Sequence, residues 1–134
     1  MKTRCIVILL AIGFFLTAPP APAHHAFAAE YDVDKPIKLT GSVTKIDWRN
    51  PHAWFYIDVK DENGKITNWG FELPTPNTLM RAGWTRNSMK IGDMVIVEGT
   101  RSKDGTANAN AKTVTLSDTG KKLFDTATAT IAPE

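Results

Sequence analysis

Apolar and polar residues alternate along the first half of the chain, and this pattern predicts strands. Between Ile37 and Trp48 the apolar positions repeat every second residue, but their phase moves by one residue after Val43. A phase change of this kind inside a strand predicts a β-bulge and a sharp bend. Asn50-Pro51 then breaks the run, and residues 52–60 alternate again in a second strand.

A third strand over residues 65–73 is followed by a short helix with a signal at each end. Thr75 is suited to accept hydrogen bonds from the first-turn amides, and Pro76 is suited to the first helical position. Gly83 is suited to the left-handed residue that follows the last turn. Together these residues predict a short helix between Thr75 and Gly83.

Two more strands are predicted over residues 94–101 and 109–116, and residues 120–124 are a candidate edge segment. Three strands, a helix and two strands, with a bend in the first strand, is the order of an OB-fold. That fold is mainly β, a five-stranded, partly open Greek-key barrel. The alternative is a small sandwich of the same strands. The predicted core residues are Val43, Phe55, Ile57, Val95 and Val97.

The amino terminus has the three parts of a secretory signal peptide. Lys2 and Arg4 make it basic, and an uncharged apolar run follows from Ile6 to Leu16. Ala21-Pro22-Ala23 then matches a small-residue cleavage site. The apolar run is shorter than the roughly 20 residues that span a bilayer. We therefore expect residues 1–23 to be removed and the mature protein to be periplasmic or secreted, without stable membrane insertion.

Cleavage after Ala23 divides the rest of the chain into three parts. We expect residues 24–36 to be an N-terminal extension and residues 37–124 to be the OB-like β-barrel domain. Residues 125–134, with their Thr-Ala repeats, are expected to be a flexible C-terminal tail.

The composition of the mature chain excludes several functions. Cys5 is the only cysteine and lies in the predicted signal peptide, so the mature protein has no disulfide, thiolate metal site or cysteine nucleophile. Removal of Lys2 and Arg4 leaves equal numbers of basic and acidic residues. Without a net positive charge or a basic run, we expect no nucleic-acid partner.

Six segments resemble an uncharacterised family of small exported bacterial proteins, known mainly as a domain of unknown function. They are His24 to Asp32, Leu39 to Lys45, Asn50-Pro51-His52-Ala53-Trp54, Arg81-Ala82-Gly83-Trp84, Gly92-Asp93 and Ala109-Asn110-Ala111. The resemblance covers almost the whole mature chain. It implies an export signal and a single OB-like domain, and it implies no activity.

In OB-folds the ligand face is made by strands two and three and is closed by two loops. Trp54 and Tyr56 alternate with the predicted core residues of strand two, so we expect them on the open face, where flat rings can stack on a ligand. The alternative is that the tryptophans only cover the barrel. The candidate ligand-binding residues are Trp48, Asn50, His52, Trp54, Tyr56 and Trp69.

The three histidines are candidate metal ligands. Cleavage exposes the α-amine of His24, which can chelate one ion together with its ring, and nitrogen-rich sites favour Cu(II). His25 or His52 would supply a third nitrogen. Zinc is less well matched, because structural zinc sites have four ligands and here there is no cysteine. In the alternative interpretation His52 holds a turn and the other two histidines lie on a frayed terminus.

An enzyme is a third possibility, with His52 as general acid or base beside Asp47, Asp58 or Glu72. The chain has no nucleophile motif and no glycine-rich loop before a helix, so no catalytic residue is assigned. The first hypothesis is an exported, non-catalytic binding module for a small molecule, a metal ion or an envelope protein. The second is a copper-binding protein that uses the His24 amino terminus.

Overall fold

The computed structural model describes residues 23–129, with three helices and six strands. The predicted signal peptide, residues 1–23, lies outside this range except for Ala23. Within the described range no helix is long and apolar enough to cross a membrane. The elements, in chain order, are α1 (Ala23–Glu30), β1 (Tyr31–Asp47), β2 (Trp54–Lys60), β3 (Ile66–Glu72), α2 (Pro76–Arg81), β4 (Met94–Ser102), β5 (Asn108–Leu116), β6 (Lys122–Asp125) and α3 (Thr126–Ala129).

The strands form one sheet that closes on itself. Their order is β3-β2-β1-β4-β5-β6, and an additional pairing joins β3 to β5. That closing pair is parallel, whereas the other neighbours are antiparallel. Strands one to five with this pairing, and a helix between the third and the fourth, make the OB-like barrel that the sequence predicts, and not a sandwich.

The first strand is bent, as its change of apolar phase predicts. β1 pairs with β4 over its first part and with β2 over its last part, and a bulge interrupts the second pairing between Val43 and Lys45. Gly41 lies just before the bulge, where a Cβ atom would collide with the backbone carbonyl of Asp58. The missing side chain therefore lets β1 coil closely against β2, and one strand serves both halves of the barrel.

The barrel interior is apolar, and the five predicted core residues are at most 1% exposed. Phe55 and Ile57 point inwards from β2, while Trp54 and Tyr56 on the same strand are half-buried on its outer face. Phe55 stacks on Phe71 with ring centroids 5.3 Å apart. The predicted assignment of the two faces of β2 is confirmed.

Helix α2 packs Leu79 into the hydrophobic core, and both of its predicted end signals are confirmed. The Thr75 hydroxyl accepts from the Thr78 amide at 3.1 Å, and Pro76 is the first helical residue. After the last turn, Gly83 has φ 86° and its amide donates to the Met80 carbonyl, while the Trp84 amide donates to the Leu79 carbonyl. These two bonds are those of a Schellman motif.

The two ends of the described range are more ordered than the sequence predicts. The expected N-terminal extension, residues 24–36, contains most of α1 and the start of β1, which begins at Tyr31 and not at Ile37. This part of the strand is mostly polar, so the sequence shows no sustained alternation of apolar and polar residues there. Its register with β4 shifts between Tyr31 and Pro36. At the other end β6 is the expected edge segment, and α3 follows it in the first residues of the predicted tail.

Ile57 tests the core assignment. Ile57→Ala should lower the free energy of unfolding by about 2 to 5 kcal/mol, because it removes a fully buried side chain and leaves a cavity. The matched control is Ile91→Ala, since Ile91 is 70% exposed and its loss should cost less than about 0.5 kcal/mol. Urea unfolding measures both, and similar losses would contradict the assignment.

Candidate ligand-binding site

A depression of about 370 Å³ lies where the loop between β1 and β2 meets the outer face of the barrel. The loop contains a cis peptide bond between Asn50 and Pro51, and its end is held against the segment that follows β3. The Ala53 amide donates to the Pro74 carbonyl at 3.2 Å, and the Leu73 amide donates to the Ala53 carbonyl at 2.8 Å. The lining residues are Glu30, Arg49, Asn50, Pro51, His52, Trp54 and Glu72.

A buried carboxylate lies at the base of this depression. Glu72 is only 6% exposed, and the register of β2 and β3 places it opposite Trp54. One of its oxygens accepts a hydrogen bond from the Tyr31 hydroxyl, and the other pairs with Nδ1 of His52. Buried carboxylates are costly unless they are paired, and here both oxygens have a partner.

The bond to Glu72 determines how His52 meets a ligand. With Nδ1 as donor to the carboxylate, neutral imidazole carries its lone pair on Nε2. The His52 side chain is 48% exposed, so the ring is held at one edge and open at the other. It can accept a hydrogen bond or bind a metal ion without rearrangement.

Tyr31 is a neutral hydrogen-bond donor within this group. Burial raises the pKa of its hydroxyl, and the carboxylates of Glu30 and Asp104 raise it further. The ring of Tyr31 is 3% exposed and lies 5.1 Å from that of Phe27 in α1. The first residue of β1 therefore connects the amino-terminal helix to the depression.

The last residue of β4, Ser102, and the residue that follows it, Lys103, fix the end of α1 at the rim. The Lys103 amide donates to the Glu30 carbonyl at 2.9 Å, and its Nζ donates to the Ala28 carbonyl at 2.6 Å. Ser102 adds a longer bond to the Glu30 carbonyl at 3.5 Å. The loop after β4 thus approaches the same edge of the barrel as the loop after β1.

The structure separates the predicted ligand-binding residues into three groups. Asn50, His52 and Trp54 line the depression, and Tyr56 lies next to it on the outer face of β2. Trp48 and Trp69 instead pack against the core.

Trp69 lies on the same face of β3 as Phe71, with ring centroids 6.5 Å apart, and Arg101 covers its ring at 5.5 Å. Trp69 therefore contributes to the wall of the barrel and not to the depression.

Of the three acidic residues considered for His52, the structure brings Glu72 to it. Asp47 instead pairs with Arg49 at 3.3 Å and with Lys45 at 3.8 Å. Asp58 accepts a hydrogen bond from Asn68 at 2.7 Å. The sequence did not predict the contact between Tyr31 and Glu72.

The described residues contain no group of three or more His, Cys, Asp or Glu side chains that could hold a metal ion. The backbone of His24 and His25 lies in the first turn of α1. Their side chains are outside what the structure describes, so the predicted pairing of these histidines with His52 stays a prediction.

Residues 14–111 match a family of unknown function, DUF6152. The chain belongs to this family. No curated protein matches this DUF6152 chain. Among solved structures it is similar to the mitochondrial single-stranded DNA binding protein Rim1 of S. cerevisiae, with 10% sequence identity and a TM-score of 0.49. The similarity covers 62% of this DUF6152 protein and 93% of Rim1.

Tyr31 tests the buried hydrogen bond. Tyr31→Phe should lower the free energy of unfolding by about 1.5 to 3 kcal/mol at neutral pH, because Glu72 loses a donor. The folded-state pKa of Tyr31 is raised above its unfolded value of about 10, so its stabilisation is complete below that pH and is lost as the pH rises further. The difference between wild type and variant should therefore shrink in urea unfolding at high pH.

The matched control is Tyr56→Phe, which changes the only other tyrosine of the chain. Tyr56 is half-buried on the outer face, and we expect a change below about 0.5 kcal/mol. Equal losses in the two variants would contradict the role of Tyr31.

Proposed function

We propose that this DUF6152 protein is an exported, non-catalytic binding module that holds a small molecule in the depression beside His52. The observation that carries the proposal is the pairing of His52 with a buried carboxylate that Tyr31 also holds. Such support fixes the orientation of the ring before a ligand arrives. Preorganised groups bind more tightly because less freedom is lost on binding.

The lining of the depression indicates what kind of molecule fits. Its volume of about 370 Å³ is within the range of small-ligand sites. Nε2 of neutral His52 can accept a hydrogen bond from a ligand, Asn50 offers an amide, and the half-buried ring of Trp54 offers a flat apolar surface. A small polar molecule with one apolar face matches this combination.

Binding explains these residues better than catalysis does. None of the residues that line the depression is a serine, threonine, cysteine or lysine, so covalent catalysis there would have to use a carboxylate or His52 itself. Glu72, the carboxylate paired with His52, is buried and bonded through both oxygens. Export is supported by the sequence pattern of residues 1–23.

Two variants test the site against a library of small polar metabolites. Ligands that raise the thermal unfolding temperature of the wild type are measured by calorimetric titration. His52→Ala should weaken their binding at least tenfold, or about 1.4 kcal/mol, because it removes the acceptor. Glu72→Gln should weaken it by a smaller factor, because the support of His52 is impaired while its ring remains.

Asn87→Ala is the control, since Asn87 is exposed in the segment after α2 and away from the depression. It should leave affinities unchanged. Ligands that bind equally well to His52→Ala and to the wild type would contradict the site.

A specific observation also supports the second hypothesis, Cu(II) binding by the mature amino terminus. Histidines that bind metals commonly donate their other ring nitrogen to a carboxylate, as His52 does to Glu72. In addition, α1 carries His24 and His25 and ends at Glu30, which lines the same depression. The amine and ring of His24, together with His52, would supply three nitrogen ligands.

The copper hypothesis is tested on exported protein whose intact mass begins at His24. Three alanines added before His24 should weaken Cu(II) binding at least tenfold, because the His24 amine becomes an amide and no histidine remains within the first three residues to chelate together with the new terminal amine. His52→Ala in the unextended protein should also weaken it. Spectroscopic titration measures both, and an affinity that neither change alters would remove copper as a candidate.

A further inference from the structure

The outer face of the barrel continues beyond the depression, from Trp54 to Tyr56. Opposite Tyr56 on β3 is Gly70, which presents no side chain. A Cβ atom at residue 70 would lie 3.1 Å from Cε1 of Tyr56 and 3.4 Å from Cδ1. The tyrosine ring therefore leans across β3, in the space that a side chain on residue 70 would occupy.

Asn108 reaches the same place from the other side. β5 pairs with β3 so that Asn108 is the partner of Gly70, and its amide oxygen also lies where a Cβ of residue 70 would be. Nδ2 of Asn108 donates to the Thr106 hydroxyl at 2.9 Å, and that hydroxyl donates to Asp104 at 2.7 Å. The loop between β4 and β5 thus fixes the amide beside the ring.

A second amide lies two residue pairs further along β2 and β3, on the same face of the sheet. Nδ2 of Asn68 donates to Asp58 at 2.7 Å and to the Thr44 hydroxyl at 3.0 Å. Asn68 is exposed, so its amide oxygen faces solvent. We call Trp54, Tyr56, Asn68 and Asn108 together the platform.

The charges near the platform favour an uncharged ligand. Lys45 and Arg49 both pair with Asp47, which neutralises part of their charge. Nζ of Lys45 also lies over the Tyr56 ring, 5.2 Å from its centroid. Asp58 adds a carboxylate beside Asn68. A polyanion needs cations that release its counterions, and paired lysine and arginine side chains do this poorly.

From these observations we infer that the platform binds an uncharged oligosaccharide, whose terminal unit occupies the depression. Aromatic rings pack against the C–H faces of sugars, while amide groups donate to and accept from their hydroxyls. Trp54 and Tyr56 are two residues apart on one strand, which separates the rings by about 7 Å. The two rings would contact successive sugar units. The inference rests on the proposed function, because it extends that site and names its ligand class.

The test is a titration of isotope-labelled protein with two uncharged hexasaccharides, in which the amide signals are monitored by NMR. These are the β-1,4-linked oligomers of glucose and of N-acetylglucosamine. We expect one of them to shift the amide signals of Gly70 and Asn108, and Tyr56→Ala to weaken that binding at least tenfold. The affinity should not change between low and high salt, because no counterions are released.

Gly70→Ala is a second variant, since its methyl group would displace the Tyr56 ring and the Asn108 amide without removing either. It should weaken saccharide binding while the protein remains folded. Ile91→Ala is the control and should bind like the wild type, because Ile91 is exposed and is not part of the platform.

Three outcomes would overturn the inference. They are no shift with either hexasaccharide, equal binding by Tyr56→Ala, and stronger, salt-sensitive binding of a thymidine oligonucleotide of the same length. If neither hexasaccharide binds, while small metabolites still bind and their binding depends on His52, the proposed function stands and the oligosaccharide is wrong as its ligand class. If saccharide binding is lost in Tyr56→Ala but unaffected by His52→Ala, the platform stands and the depression is not the site.

Discussion

The buried carboxylate of Glu72 is the constraint on which the candidate site depends. Removing a carboxylate from water costs several kcal/mol unless partners replace the lost solvation. Its partners here come from distant parts of the chain, Tyr31 at the start of β1 and His52 in the loop before β2. One charged group therefore holds three segments together, and the orientation of His52 follows from it.

The barrel supplies the rigid frame that makes this arrangement possible. Because β1 bends at its bulge, its first half reaches β4 while its second half reaches β2. The amino-terminal end of β1 is thereby brought to the end of β3, where Glu72 lies. Apolar packing inside the barrel fixes the positions of the strands. The polar side chains on the outer face are therefore positioned by the strands that carry them.

Features with a local cause could be predicted from the sequence. The bulge after Val43 and the helix ends at Thr75 and Gly83 depend on residues close together in the chain. The bond between Tyr31 and Glu72 joins residues that are 41 positions apart, and no local pattern reports it. The polar residues after Tyr31 also concealed the start of β1. The sequence left Trp69 either as a ligand-binding residue or as a cover of the barrel, and the structure shows it packed against the core.

The barrel closes between β3 and β5 through only three residue pairs, and the first of them joins Gly70 to Asn108. This short parallel seam interrupts an otherwise antiparallel ring, and its position coincides with the surface where Tyr56 and Asn108 meet. A molecule lying across these two side chains would span the seam and fasten one strand to the other. A ligand bound on the outer face would then raise the free energy needed to separate β3 from β5. The residues that bind the ligand would also be residues that keep the barrel closed.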